Sequence, residues 1–174
     1  MWTLPCELWD DEKRAGIVEL TLKDSAALAD CASPSIFRFL SRVPRSWDQQ
    51  GMLVLLEELL ASPNSKFYTI RRGNDRSQVC GMTAYLDVSE YNRRLEIGWT
   101  WLASGEHRSG LNRHIKNLML DYAFQNLQAL RVTLTCDVRN TVSQRAIEGI
   151  GAQREGLLRR YGRMPDGFQR DVYV

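Results

Sequence analysis

The sequence predicts an α/β fold, a mixed and mostly antiparallel sheet with a central parallel strand pair and flanking helices. Three observations carry this. Large apolar residues alternate at Leu95, Ile97, Trp99 and Trp101, the period of two that sends successive strand side chains to opposite faces. A helical period follows at Ile115, Leu118, Met119, Tyr122, Ala123 and Leu127. Alternation then returns at Val132, Leu134, Cys136 and Val138, and a strand that follows another through a long helix lies parallel to it.

Taken in order, Met1–Lys13 shows no clear period and contains Pro5, so an arm or a ragged first strand is expected. Ile17–Leu22 alternates as a strand. Asp24 is placed to cap a short helix through Ala32, and Pro34 opens another reaching Phe39. Ser46 and Gln49 form a capping-box pattern before Met52, Leu53, Leu55, Leu56, Leu59 and Leu60, and Ser62-Pro63 ends that helix. Phe67–Arg72 and Gln78–Val88 read as strands joined by a turn at Gly73-Asn74-Asp75, with a further turn at Asn92-Arg93. Three strands thus meander toward Leu95.

In the central strand Leu95–Leu102 the large apolar residues take one face, and Glu96, Gly98 and Thr100 the other. A glycine there packs nothing, so Gly98 signals an interrupted ladder with free backbone N–H groups. The loop Ser104–Gly110 then feeds a helix. Its unpaired N–H donors and the helix dipole suit a phosphate, with His107, Arg108 and Arg113 nearby, although an ordinary strand-to-helix turn uses the same residues. Arg131–Val138 is the expected parallel strand. Asn140 or Thr141 caps a helix through Ile150, Gly151 ends it, and Ala152–Tyr161 with Phe168–Val174 forms a hairpin around Pro165-Asp166-Gly167.

Composition narrows the function. The 174 residues suit one domain spanning Met1–Val174, with core enough to need neither metal nor disulfide. A net charge of +2 demands neither nucleic acid nor an anionic membrane as partner. Cys6, Cys31, Cys80 and Cys136 are widely spaced and only two histidines occur, so no zinc site or disulfide framework is signalled, and a reducing cytoplasm is expected. No apolar run of about 18 residues is present.

The strand LEIGWTWLA, the loop HRSGLN and the helix RHIKNLMLDYAF resemble the acetyl-coenzyme A signature of the GNAT superfamily of N-acetyltransferases. That loop runs Gln or Arg, two residues, Gly, one residue, then Gly or Ala; Gly110 fits, whereas His107 and Asn112 depart. CDVRNTVSQRAIEGIGAQREGLLRRY resembles the family's later segment, in the branch that includes the Rim-type ribosomal-protein N-terminal acetyltransferases. The resemblance covers Arg94–Val174 well and Ile17–Val88 loosely.

The resemblance implies a GNAT-like sheet, acetyl-coenzyme A as co-substrate, no metal, and a primary amine as acceptor, attacked directly in a ternary complex. It places the pyrophosphate along His107, Arg108, Ser109, Gly110, Leu111 and Asn112, the acetyl carbonyl near the Thr100 N–H, and the pantetheine arm along Trp101 and Leu102. Glu96 stands where some members place a general base; it could equally pair with Arg93 or Arg94. Asn140 and Ser143 match residues beside pantetheine and sulfur, and both types also cap helices. Thr141–Ile150 holds no tyrosine to protonate the thiolate, which leaves Ser143 as candidate and Tyr161 in reserve. Cys136 reads as a buried small hydrophobe, or as a thiol facing the cofactor's. Phe39, Tyr85 and Trp99 are candidates for the acceptor wall, with Trp101 beside them; aromatic residues at strand spacing also build cores. A protein amino terminus or a small-molecule amine would serve as acceptor. A non-catalytic coenzyme A-binding regulatory module is the alternative from another class, and a homodimer stays open.

Overall fold

The structure, a computed structural model, describes residues 2–174; Met1, within the expected first segment, lies outside the described residues. Its helices are α1 (Ser25–Cys31), α2 (Gln49–Leu60), α3 (Leu111–Asp121) and α4 (Thr141–Glu148). The larger sheet carries β1 (Glu7–Asp10), β2 (Ala15–Glu19), β3 (Lys66–Arg72), β4 (Gln78–Ser89), β5 (Arg94–Leu102) and β6 (Arg131–Thr133) side by side in chain order. Its neighbours run antiparallel except β5 and β6, which are parallel and joined through α3. A smaller sheet holds β7 (Cys136–Asp137) and β8 (Leu157–Arg163) on either side of β9 (Gln169–Tyr173).

Each face of the larger sheet buries its own apolar layer. On one, Ile17, Tyr68, Ile70, Leu95 and Ile97 meet Leu111, Ile115, Met119 and Ala123 of α3 and the π-turn that continues it. On the other, Phe67, Met82, Ala84 and Trp101 meet Leu28 of α1 and Met52, Leu55, Leu56 and Leu59 of α2. Burying such side chains is worth about 1.5–3 kcal/mol each, which makes the two layers the main source of stability.

Two expected caps differ. Asp48, not Ser46, caps α2: its carboxylate accepts the Gly51 N–H at 2.8 Å, while the Ser46 hydroxyl donates to that same carboxylate at 2.8 Å. Asp24 does not cap α1, because its backbone is already helical and its buried carboxylate is bound elsewhere. It accepts the Thr21 N–H at 2.8 Å and the guanidinium of Arg71 at 2.5 Å. A buried carboxylate is retained only with such partners.

Two strand expectations are corrected, and both corrections shape the site. Ala84 pairs with Gly98 and Met82 with Trp101, so β5 has one more residue than β4 in this interval. The bulge is taken up by Trp99 at φ +52°, and it shifts the alternation. Leu95 and Ile97 face α3, whereas Trp99 and Trp101 face the α1–α2 side; they do not share one face. The second correction concerns Arg131–Val138, which is not one strand. It breaks at Leu134-Thr135: β6 pairs with β5, and β7 turns away to pair with β9. The last hairpin is also shorter than expected, with strands at Leu157–Arg163 and Gln169–Tyr173.

Tyr85 belongs to the core, contrary to its expected place in an acceptor wall. Its ring is wholly buried edge-on against Tyr68, and its hydroxyl donates to the Met119 carbonyl at 2.7 Å. Tyr85→Phe is therefore expected to lower unfolding free energy by about 1 kcal/mol, the worth of one buried hydrogen bond, in urea denaturation. The same variant should leave the KM for an amine acceptor unchanged.

Candidate active site

The parting of β6 from β5 opens the site. Their pairing covers only Arg94–Glu96 against Arg131–Thr133. Beyond Glu96, the edge of β5 from Gly98 to Leu102 has no strand beside it among the described residues. Backbone N–H and C=O groups on such an edge need a partner, and an extended ligand arm bearing amides supplies one as an added strand would.

Glu96 sits at the fork. It is 9% exposed, and its Oε1 accepts from Thr135 Oγ1 at 2.8 Å, from the segment where β6 gives way to β7. Burial pushes its carboxyl above the usual carboxylate range; the Thr135 hydrogen bond and the charges of Lys116 and Arg170 oppose this, and Asp87 adds to it. Gly98 makes the room: a Cβ there would stand 2.8 Å from Leu86 Cδ1 and 3.0 Å from Glu96 Oε1. No salt bridge joins Glu96 to Arg93 or Arg94 among the described residues. The Arg93 guanidinium instead donates to the Gln128 carbonyl, and Arg94 is exposed.

The loop before α3 is held from below, where Arg72 pairs with Glu106 at 2.8 Å. Gly110 is the N-cap of α3 at φ +84°, in the left-handed region where glycine carries no Cβ penalty, with nothing within 4 Å of the position a Cβ would take. The Ser109 hydroxyl accepts the Leu111 N–H at 3.2 Å, and the Gly110 carbonyl accepts that of His114 at 3.0 Å. The N–H groups of Asn112 and Arg113 have no described partner, so two donors at the positive end of the helix stand open beside exposed Arg108 and Arg113. His107 turns back instead: its ring Nε2 lies 3.1 Å from the Leu102 carbonyl.

Asn140 caps α4, its Oδ1 accepting the Ser143 N–H at 3.0 Å. Ser143 contributes only that N–H to the cap. Burial pushes the Cys136 thiol up, and Arg154 and then the Ser143 hydroxyl ease it down. Cys136 is buried. Phe39 is half-buried under the guanidinium groups of Arg38 and Arg139, and its carbonyl accepts from Arg170 Nη1 at 2.9 Å. Trp99 packs edge-on against Phe67, and Trp101 packs tilted against Phe37. Thr100 faces α3, where its hydroxyl accepts from Lys116.

Residues beyond the expected set gather at the fork: Thr135, Asp87, Arg170 and Lys116. Thr135 was concealed inside the run taken for one strand. Asp87 and Arg170 reach Glu96 from different sheets, and no local pattern joins them. Lys116 alone left a sequence signal, a lysine three residues before Met119 and seven before Ala123 on the buried face of α3. Among the described residues no group of three or more His, Cys, Asp or Glu gathers as a metal site, and no helix is long and apolar enough to cross a membrane.

Residues 14–153 match the family model described as the acetyltransferase (GNAT) domain, and the chain belongs to that family of acetyl-coenzyme A-dependent acetyltransferases. It is similar to the uncharacterized N-acetyltransferase p20 of Bacillus licheniformis, 25% identical over 93% of this chain and 91% of that one. A structure from T. thermophilus, provisionally classed as an acetyltransferase, superposes with a TM-score of 0.90 at 35% identity, covering 99% of this chain and 90% of the other. The spermidine N-acetyltransferase of Vibrio cholerae in complex with CoA and spermine shares the fold, with a TM-score of 0.72 at 17% identity over 92% of each chain.

The capping geometry separates two neighbouring side chains. Asn140→Ala should destabilise the protein by about 1 kcal/mol, as loss of an N-cap does, in thermal or urea unfolding. Ser143→Ala keeps the backbone N–H that the cap uses, so its unfolding midpoint should stay at the wild-type value.

Proposed function

We propose that the protein transfers an acetyl group from acetyl-coenzyme A directly to a primary amine, with Glu96 as general base. The observation that carries this is a buried carboxylate without a salt bridge among the described residues, at the mouth of a strand edge that no described strand pairs. The residues fit the cofactor: the open N–H groups of Asn112 and Arg113 suit its pyrophosphate, and the edge from Gly98 to Leu102 suits its pantetheine amides. Acetyl-coenzyme A, when bound, supplies the activated thioester. Glu96 takes a proton from the incoming ammonium, directly or through one water, and its raised pKa brings its basicity closer to neutral pH. Backbone N–H groups of the bulged strand near Thr100 stabilise charge developing on the carbonyl oxygen. The Ser143 hydroxyl donates a hydrogen bond toward the departing sulfur, which takes up the second proton that the attacking nitrogen loses on becoming an amide.

The acceptor we favour is a protein amino terminus. Arg38 and Arg139 stack on Phe39, Arg139 lies 4.1 Å from the Phe168 ring centroid, and Arg170 binds the Phe39 carbonyl while its charge acts on Glu96. Arg139 is paired with Asp137, so the positive charge that a polycation would meet here is that of Arg38 and Arg170, whereas a peptide brings one amine and a neutral backbone. Thiol release should accordingly be fast with short peptides bearing a free amino terminus and slow with spermidine. The reverse ranking would overturn the choice of acceptor, and no release with any amine would favour the non-catalytic module.

Glu96→Gln should lower turnover roughly 10²- to 10⁴-fold and flatten the acidic limb of the pH profile, with coenzyme A affinity little changed. Wild-type rates across the pH range would remove the general-base role. Gly110→Val forces a β-branched residue into a left-handed backbone, at a cost of about 1–2 kcal/mol. It should weaken coenzyme A binding in calorimetry; unchanged affinity in the folded variant would remove this loop from the phosphate site.

A further inference from the structure

Lys116 occupies a position on α3 that stability alone would give to a hydrocarbon. It lies between Ile115 and Met119 on the helix's buried side and is itself 6% exposed. Its Nζ reaches up beneath β5 and donates to Thr100 Oγ1 at 2.5 Å. That oxygen lies 2.8 Å from Thr83 Oγ1 and 3.2 Å from the Gly98 carbonyl, and Thr83 Oγ1 is 3.4 Å from the same carbonyl. The ammonium is thereby tied to both sides of the Gly98–Trp99 bulge. Thr100 is its only described hydrogen-bond partner, and no carboxylate lies within salt-bridge distance of it among the described residues. An ammonium has three donors, so this one is buried and under-satisfied.

The charge that acts on Lys116 is that of Glu96, on the opposite face of the same strand. Glu96 is faced from every side by titratable or polar groups: Asp87 from β4, Thr135 from the β6–β7 break, Tyr161 from β8, Arg170 from β9 and Lys116 from α3. Of its two cations, Arg170 is also engaged with the Phe39 carbonyl, whereas Lys116 has no role outside the bulge.

We propose that Lys116 is a positioning residue for acetyl transfer, holding the Gly98–Thr100 bulge from beneath through the Thr100 hydroxyl and supplying the buried counter-charge to Glu96. The proposal rests on the reading of Glu96 as general base. It explains why an unpaired cation is kept in an apolar layer: methionine would fill the same space without the desolvation cost, and a buried charge replaced by a well-packed hydrophobe is often neutral or stabilising.

The test compares Lys116→Met, Thr100→Val and Glu96→Gln with the wild type by urea denaturation and by kcat and KM against pH. Lys116→Met should keep or raise the denaturation midpoint and lower kcat roughly ten- to hundredfold, at little cost in amine KM. It should also move the acidic limb of kcat/KM to higher pH by about one unit, because a carboxylate deprived of a nearby cation ionises less readily. Thr100→Val keeps the charge but cuts the link, so kcat should fall while the limb stays in place. A purely structural lysine would behave otherwise: Lys116→Met would lose stability and retain kcat and the limb. That result overturns the proposal. Should Lys116→Met not fold, Thr100→Val decides, and full kcat in it overturns the link to the bulge. If Glu96→Gln itself keeps the acidic limb, the base assignment and this proposal fall together. If Glu96→Gln abolishes the limb while Lys116→Met leaves limb and kcat intact, only the role of Lys116 is lost.

Discussion

The departure of β6 from β5 is the constraint on which the remaining features depend. Parallel pairing lasts through Arg94–Glu96, and then Leu134-Thr135 carries the chain into a second sheet with β9 and β8. A strand edge left open inside a folded protein must be satisfied by something other than a strand. Here the loop that leads to Gly110 leaves one end of that edge, with His107 Nε2 against the Leu102 carbonyl, and Arg170 of the smaller sheet acts on Glu96 at the other. The bulge at Gly98-Trp99 cooperates with the splay. By inserting one residue it frees part of β5 from regular pairing and turns both tryptophans toward α1 and α2.

Electrostatics at the fork follow from placing charges where apolar packing would be cheaper. Glu96 and Lys116 are both buried, lie on opposite faces of one strand, and form no ion pair. Contact would neutralise both in a close pair; separation by the strand leaves each polarised toward its own side, Glu96 toward the opening and Lys116 toward the bulge. Desolvation pushes the carboxyl up and holds the ammonium down at about 7, so each is drawn toward its neutral form and each limits that tendency in the other. Such arrangements weaken a fold and gather where chemistry is done.

Several side chains that invite a chemical role have a structural one. Asn140 caps α4, Tyr85 anchors β4 to α3, and His107 folds back on the Leu102 carbonyl. The cap and a cofactor contact are compatible for Asn140, whose Oδ1 alone is committed. Cys136 is buried and desolvation pushes its thiol up, which disfavours the thiolate.

Element types, the central strand, the glycine-led helix and the parallel crossover were legible in the sequence, because each is a local period or a local turn chemistry: alternation from Leu95, a 3.6-residue repeat from Ile115, glycine in the loop that feeds the helix. The places of Glu96 on the central strand and of Gly110 at the helix start were legible for the same reason, each lying within a continuous motif. Gly98 correctly marked an interrupted ladder. Tertiary structure decided what those periods could not. Arg131–Val138 alternates throughout, yet breaks in two because β9 competes for its second half. Trp99 and Trp101 keep a period of two from Leu95, yet an inserted residue sends them to the other face. Tyr85 and Trp99 look alike as strand aromatics, and only the packing of α3 on one side and α1 and α2 on the other makes Tyr85 wholly buried and Trp99 partly so. The helical period puts Lys116 on the buried side of α3, but its partner Thr100, sixteen residues earlier, reaches its ammonium only through the fold. Pairing register and the company a side chain keeps depend on segments far apart in the chain, and those were settled only when the two sheets formed.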